Sequence, residues 1–208
     1  MSSVLKVLQI NVNRNATTTE NVLQLAIELN ISILAIQEPW VIQGSSKEYR
    51  STIHSSFTQV FSDNSSLRPR AMFYIVNTIR ASLAPNSPKH PDCVIIDLET
   101  EFAIQIVNVY NAKHPNDPNS IPIVDSGLDH LLTYSTILLG DFNTHHPWWD
   151  PLALKSANAD ILKDLIENNS LNLLNTPGEG TFYRPHMSHA SVLDLTLASN
   201  SLSNKIID

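Results

Sequence analysis

Residues 31–37, Ile-Ser-Ile-Leu-Ala-Ile-Gln, form a nearly all-apolar run directly after a helical stripe. That succession restricts the folds open to the chain. A half-wet strand alternates, whereas an unbroken apolar strand is buried on both faces, as in a sheet covered by helices or by a second sheet. Upstream, Val22, Leu25, Ala26 and Leu29 recur at helical spacing and run out at Asn30, and Thr17-Thr-Thr-Glu20 reads as a capping box in which Glu20 answers the Thr17 N–H. Residues 4–12 precede the helix as a strand. Strand, helix and strand together make the unit that joins neighbouring strands of one sheet.

Farther on, the pattern predicts strands over residues 57–61, 71–76, 93–98 and 102–110, the last two joined through Glu99-Thr100-Glu101 as a hairpin. A buried strand is expected over 135–139 and a helix over 157–168, with Ile161, Leu162, Leu165 and Ile166 inward. Short strands over 171–174, 181–184 and 192–198 close the chain. Residues 44–56 and 113–127 read as loose surface segments, the second carrying Pro115, Pro118 and Pro122. Helices mixed with antiparallel-looking strands indicate an α/β sandwich, sheet against sheet with helices outside, and a single domain over 1–208. The composition agrees, with 42% hydrophobic and 16% charged residues, which excludes a disordered chain or a coiled coil. No apolar run approaches membrane-spanning length. Residues 1–12 lack the pattern of a signal peptide. The single cysteine, Cys93, lies in an apolar stretch and reads as a buried small hydrophobe of a reducing compartment.

The net charge of −7 provides no global positive field toward nucleic acid, so a nucleic-acid substrate needs a local site. Candidates for such a site share one position: each closes or follows a hydrophobic strand. Asn11 ends the first strand and Glu38 the second. Tyr110 and Asn111 end Ile106-Val-Asn-Val-Tyr110, Asp141 and Asn143 follow Ile137-Leu-Leu-Gly140, and Asp194 sits within Val192-Leu-Asp-Leu-Thr-Leu197. Strand ends form a rigid rim around a crevice, where carboxylates hold hard cations and amides contact phosphate. Each residue also has a plain structural reading. Glu38 before Pro39 can be an exposed loop start, Gly140-Asp141-Phe142-Asn143 an Asx-turn, and Tyr110 a packing residue. Asp194 is costly to bury without a partner. His145 and His146 are adjacent, point different ways and have no thiolate or third histidine nearby, which argues against zinc. Trp148 and Trp149 read as a packed or base-facing wall. There is neither a glycine-rich phosphate loop nor a GxSxG elbow.

Taken in order, Gln9-Ile-Asn11, Gln37-Glu38-Pro39-Trp40, Asn108-Val-Tyr110, Gly140-Asp141-Phe142-Asn143-Thr-His-His-Pro-Trp-Trp149 and Ser191-Val-Leu-Asp194-Leu-Thr-Leu-Ala-Ser199 resemble the endonuclease/exonuclease/phosphatase superfamily. More narrowly, they resemble the apurinic-endonuclease-like domain of non-LTR retrotransposons. The resemblance implies a four-layered α/β sandwich and Mg²⁺-dependent cleavage of a phosphodiester, with Mn²⁺ as a substitute. By the same resemblance, Glu38 is the metal-binding carboxylate and Asp141 orients or deprotonates the attacking water. Asn143 and Asn11 contact the phosphate and support the metal shell, and Tyr110 lies on the phosphate side. Asp194 orients a catalytic histidine, while Asn111, His145 and His146 lie toward the substrate. The implied partners are a double-stranded DNA target and a reverse-transcriptase domain of a parent polyprotein, in the nucleus and away from membranes. The family pattern ends in a further strand and a Ser-Asp-His motif, and none of the eight histidines follows Ser-Asp. The sequence is therefore expected to be a fragment or a decayed copy, with residues 192–198 at a sheet edge or beside a gap that leaves apolar surface open to solvent. The alternatives are a phosphoesterase of the same fold acting on a small phosphate ester, and a truncated, inactive copy.

Overall fold

A computed structural model describes residues 4–45, 48–62, 67–100, 102–112 and 127–207. The chain divides into two compact units, Met1–Tyr110 and Asn111–Asp208.

In the first unit the order is β1 (Val7–Asn11), α1 (Ala16–Glu28), β2 (Ile33–Gln37), β3 (Ile42–Gln43), β4 (Tyr49–Arg50), β5 (Phe57–Val60), β6 (Ala71–Val76), β7 (Ala81–Leu83), β8 (Cys93–Leu98) and β9 (Ile104–Tyr110). One mixed sheet has the order β1-β2-β6-β5, with β1 and β2 parallel and the other pairs antiparallel. Every residue of β2 is buried, as its unbroken apolar run requires. Register explains how both faces are used. Leu34 pairs with Tyr74 and Ile36 with Met72, and these four join Val22, Leu23 and Ala26 of α1 in one core. Gln37, whose side chain points the other way, donates from Nε2 to Asn108 Oδ1 of β9 at 2.5 Å. Asn108 Nδ2 in turn donates to the carbonyls of Ile36 at 3.1 Å and Met72 at 2.8 Å. The antiparallel β7–β8–β9 ladder thus packs on the face of β2 and β6 that α1 leaves open. Helix, sheet and sheet are stacked around an apolar interior in which each buried Leu or Ile contributes about 1.5–3 kcal/mol. Cys93 is fully buried there, and its burial pushes the thiol pKa up.

The second unit holds β10 (Thr136–Asp141), α2 (Ala159–Asn168), β11 (Leu171–Leu173) and β12 (Asp194–Ser199), with 3₁₀ turns at Leu128–Leu131 and Asn200–Lys205. Strand β12 lies between β10 and β11, antiparallel to both. Helix α2 buries Ala159, Leu162, Leu165 and Ile166 and packs beside β11. The architecture is the α/β sandwich of mixed sheets that the sequence pattern indicated. No described helix is long and apolar enough to cross a membrane.

Several local expectations are corrected. Asn15, not Thr17, caps α1, its side chain accepting the Thr18 N–H at 2.9 Å. An Asx side chain at the first non-helical position competes better for that donor than a threonine inside the first turn. The buried stripe of α1 is Thr19, Val22, Leu23 and Ala26, while Leu25 and Leu29 are exposed. In α2, Ile161 points outward. Residues 181–184 are not a strand; a single bridge joins Phe182 to Ser191. Residues 44–56 contain β4, which pairs with β3, and β7 was missed because three residues carry too little periodicity. Strand β12 is not an edge, since β11 reaches it by pairing Leu171 with Ser199 and Leu173 with Leu197. The expected loop over 113–127 lies outside the described residues except for Gly127.

Candidate active site

The first unit gathers its candidate residues at strand ends. In the parallel ladder Asn11 pairs with Gln37, so the loops after β1 and β2 leave the same rim. Both loops enter the left-handed backbone region, with φ of 48° at Asn13, 54° at Arg14 and 45° at Glu38. Such a conformation costs a non-glycine residue roughly 1–2 kcal/mol and persists only where other contacts enforce it. Here the Arg14 N–H donates to the Glu38 carbonyl at 2.7 Å, and the Glu38 N–H donates to the Arg70 carbonyl at 2.8 Å. The Glu38 carboxylate, mostly buried, receives Arg14 Nη2 on Oε1 at 2.8 Å and Asn11 Nδ2 on Oε2 at 3.4 Å. Asn11 Oδ1 accepts the Asn13 N–H at 2.8 Å, which fixes that amide.

Tyr110 closes β9, and its N–H donates to the Asp92 carbonyl at 2.9 Å. Arg70 holds the Tyr110 ring from above, with Cζ 5.8 Å from the centroid. The Arg70 guanidinium is itself gripped two-fold by Asp92, Nη2 to Oδ2 at 2.5 Å and Nε to Oδ1. Asp92 is only 1% exposed. Its burial pushes the carboxyl pKa up, and the charge and hydrogen bonds of Arg70 pull against that. Arg70 therefore meets Glu38 through its carbonyl and Tyr110 through its side chain.

In the second unit Asp141 ends β10, 7% exposed, directly opposite Asp194 in the β10–β12 ladder. Asp194 begins β12 and is half-buried rather than enclosed within an apolar strand, which lowers the desolvation cost read from the sequence. Its N–H and that of Leu193 both donate to Thr181 Oγ1, at 3.0 and 3.1 Å. Asn143 stands in the left-handed region at φ 50°, and its N–H donates to Asp141 Oδ1 at 3.1 Å. The Asx-turn and the functional reading of this motif thus occupy the same residues. Asn143 Nδ2 reaches the Asn111 carbonyl at 3.2 Å, the Asn111 N–H reaches the Asp141 carbonyl at 2.8 Å, and Asn111 Nδ2 reaches the Phe142 carbonyl at 2.8 Å. Asn111 Oδ1 is buried and has no partner among the described residues. An orphaned acceptor of this kind costs about 1–3 kcal/mol and marks a place where a water or ligand completes the structure.

His145 and His146 serve the loop that follows. His145 Nδ1 lies 2.9 Å from Asp150 Oδ2, and Asp150 also accepts the Val192 N–H at 3.2 Å. His146 Nδ1 accepts the Trp148 N–H at 3.0 Å while its ring lies 5.1 Å from that of Trp149. Burial, partly opposed by Asp160, lowers the His146 pKa. Trp149 is fully buried with Nε1 on the Thr144 carbonyl, and Trp148 is exposed.

Asn11, Glu38 and Tyr110 are thus associated within one unit, and Asp141, Asn143, Asn111 and Asp194 within the other. Sequence reasoning missed Arg14, Arg70, Asp92 and Asp150. Arg68-Pro69-Arg70 immediately before a buried strand, in an acidic chain, was the available signal for the first group. Among the described residues no three of His, Cys, Asp and Glu form a ligand group. The Glu38 carboxylate offers hard oxygen donors, on which the Asn11 amide nitrogen and the Arg14 guanidinium already rest. This donor chemistry fits Mg²⁺, which takes one or two carboxylates and keeps much of its water.

The described strands form mixed and antiparallel ladders that carry amide and carboxylate side chains at their ends. The family model described as "Endonuclease-reverse transcriptase" matches residues 104–208, and the chain belongs to that family, within the endonuclease/exonuclease/phosphatase superfamily. Among solved structures, the endonuclease domain of TRAS1, a telomere-specific non-LTR retrotransposon, is similar with a TM-score of 0.75 and 17% identity, covering 97% of this chain and 88% of that one. AP endonuclease LMAP from Leishmania major gives 0.74 and 12%, covering 98% and 81%. An AP endonuclease from Archaeoglobus fulgidus gives 0.68 and 18%, covering 99% and 90%. At these identities the structural likeness establishes the fold alone. No curated protein sequence matches the chain.

Proposed function

We propose that residues 1–208 act as one Mg²⁺-dependent endonuclease domain of a non-LTR retrotransposon, with Mn²⁺ as a substitute, which nicks double-stranded DNA. In this reading the domain works in the nucleus beside a reverse-transcriptase region of the same polyprotein. The observation that carries it is the pair of amide–carboxylate groups at strand ends, Asn11 with Glu38 and Asn143 with Asp141, each built on left-handed backbone. Glu38, supported by Asn11, would hold the ion, which when bound supplies positive charge to a phosphoryl group.

The chain's own residues carry the remaining roles. Asp141, its Oδ1 fixed by the Asn143 N–H, takes a proton from water as the water oxygen bonds to phosphorus. The bond from phosphorus to the 3′ oxygen breaks, and that oxygen takes up a proton from bulk water to leave a 3′-hydroxyl. Asn143 and Tyr110 donate to the phosphate, and Asp194, opposite Asp141 in the β10–β12 ladder, is the carboxylate placed to orient a catalytic histidine. Asn111, His145 and His146 shape the substrate side.

Supercoiled-plasmid nicking tests this reading. Mg²⁺ should support nicking, EDTA should abolish it, and Asp141→Ala should lower the rate by about 10²–10⁴. Nicking that survives EDTA would overturn the proposal. So would release of inorganic phosphate from small esters by a protein that leaves the plasmid intact.

A further inference from the structure

An open cleft of about 300 Å³ in the first unit is lined by Arg14, Leu67, Arg68, Arg70 and Pro91. Three of the six arginines of a chain with net charge −7 therefore face one concavity. Like charges so gathered repel one another, and an anion seated among them relieves that repulsion. The three side chains differ in commitment. Arg70 is aimed by buried Asp92 and keeps 35% of its side chain exposed, and Arg14, 51% exposed, leans on Glu38. Arg68 is exposed and has no carboxylate partner among the described residues. Planar guanidinium forks match the oxygens of a phosphate, and Leu67 with Pro91 adds an apolar wall suited to the neighbouring sugar.

We infer that this cleft is a backbone-phosphate subsite for DNA beside Glu38, with Arg68 supplying its uncompensated charge. The ligand's identity rests on the endonuclease reading, because DNA is the polyanion that reading brings to Glu38. Arg14 is shared between the subsite and the Glu38 carboxylate, so a phosphate in the cleft lies one side chain away from the proposed cation position.

Fluorescence anisotropy of a labelled DNA duplex, titrated in EDTA at several salt concentrations, reads binding apart from cleavage. Arg68→Ala should weaken binding about tenfold and reduce the slope of log affinity against log salt by about 1. Arg80→Ala, the same charge removed from an exposed position outside the cleft, should leave the slope unchanged. Equal behaviour of the two variants would overturn the subsite. Inorganic phosphate that binds the wild type but not Arg68→Ala, and that leaves the bound duplex in place at matched ionic strength, would also overturn it, in favour of a free-phosphate site. Binding that depends on Arg68 in a protein with no Mg²⁺-dependent nicking supports the subsite and removes the endonuclease reading. Nicking by a wild type whose affinity Arg68→Ala leaves untouched does the reverse.

Discussion

Glu38 shows how one side chain can answer two demands. Its carboxylate is mostly enclosed, and an enclosed charge needs a partner, which Arg14 supplies at 2.8 Å. The same carboxylate is the proposed seat of a divalent cation, so Arg14 competes with the ion. Arg14 is half-exposed, and an ion pair of that kind is worth about 0.2–1 kcal/mol. Arg14→Ala should therefore tighten Mn²⁺ binding by up to about fivefold, read as loss of the free-ion signal in electron paramagnetic resonance, while it weakens duplex binding in EDTA. Unchanged Mn²⁺ affinity would show that the cation does not use Glu38. A second residue-scale prediction concerns His146, whose Nδ1 accepts the Trp148 N–H and so requires a neutral ring. Burial lowers its pKa below the unfolded value of about 6.5. The folded state then binds fewer protons than the unfolded one, so this contribution to stability is complete above about pH 6.5 and is lost as pH falls below it. His146→Gln keeps a side-chain acceptor without the titration. Its melting temperature should fall less than that of the wild type between pH 8 and pH 5.5.

At the scale of elements, the stretch before β12 depends on one glycine. A Cβ at Gly180 would stand 2.2 Å from Ala190 Cβ and 2.9 Å from the Ala190 carbonyl carbon. The next residue, Thr181, receives the N–H groups of Leu193 and Asp194 on its side-chain hydroxyl, and its own N–H donates to the Ser191 carbonyl at 2.9 Å. Gly180→Ala must push these two segments apart and should destabilise the protein by about 1–3 kcal/mol, measured by urea unfolding. Long, regular elements were legible from sequence because their period repeats often enough to be read, as in β2, β6, β8 and β9. Short ones were not. Strands β3, β4 and β7 are two or three residues long, too short for a period to show, whether the partner is near, as for β3 and β4, or more than ten residues on, as for β7. The face that α1 buries was misjudged by one position on its wheel, because Thr19 and Leu23 are turned inward by the sheet beneath them.

For the whole molecule, the proposal of one domain over residues 1–208 has a calorimetric consequence. Unfolding should give a single endotherm whose calorimetric and van't Hoff enthalpies agree. Two separate transitions would mean that Met1–Tyr110 and Asn111–Asp208 unfold independently. Sequence by itself determined the layer logic: an unbroken apolar β2 has to be covered twice, and a period of 3.6 in α1 and α2 supplies covering faces. It also determined where polar side chains leave the apolar strands, which is why Asn11, Glu38, Tyr110, Asp141 and Asn143 could be named from pattern and resemblance. Tertiary structure alone decided which of them meet and what holds them. That Arg14 lies on Glu38, that Asp92 aims Arg70 at Tyr110, and that Asp194 stands opposite Asp141 all depend on register and on contacts between distant segments. Local periodicity records only how residues a few positions apart share a face, so it carries no trace of those encounters.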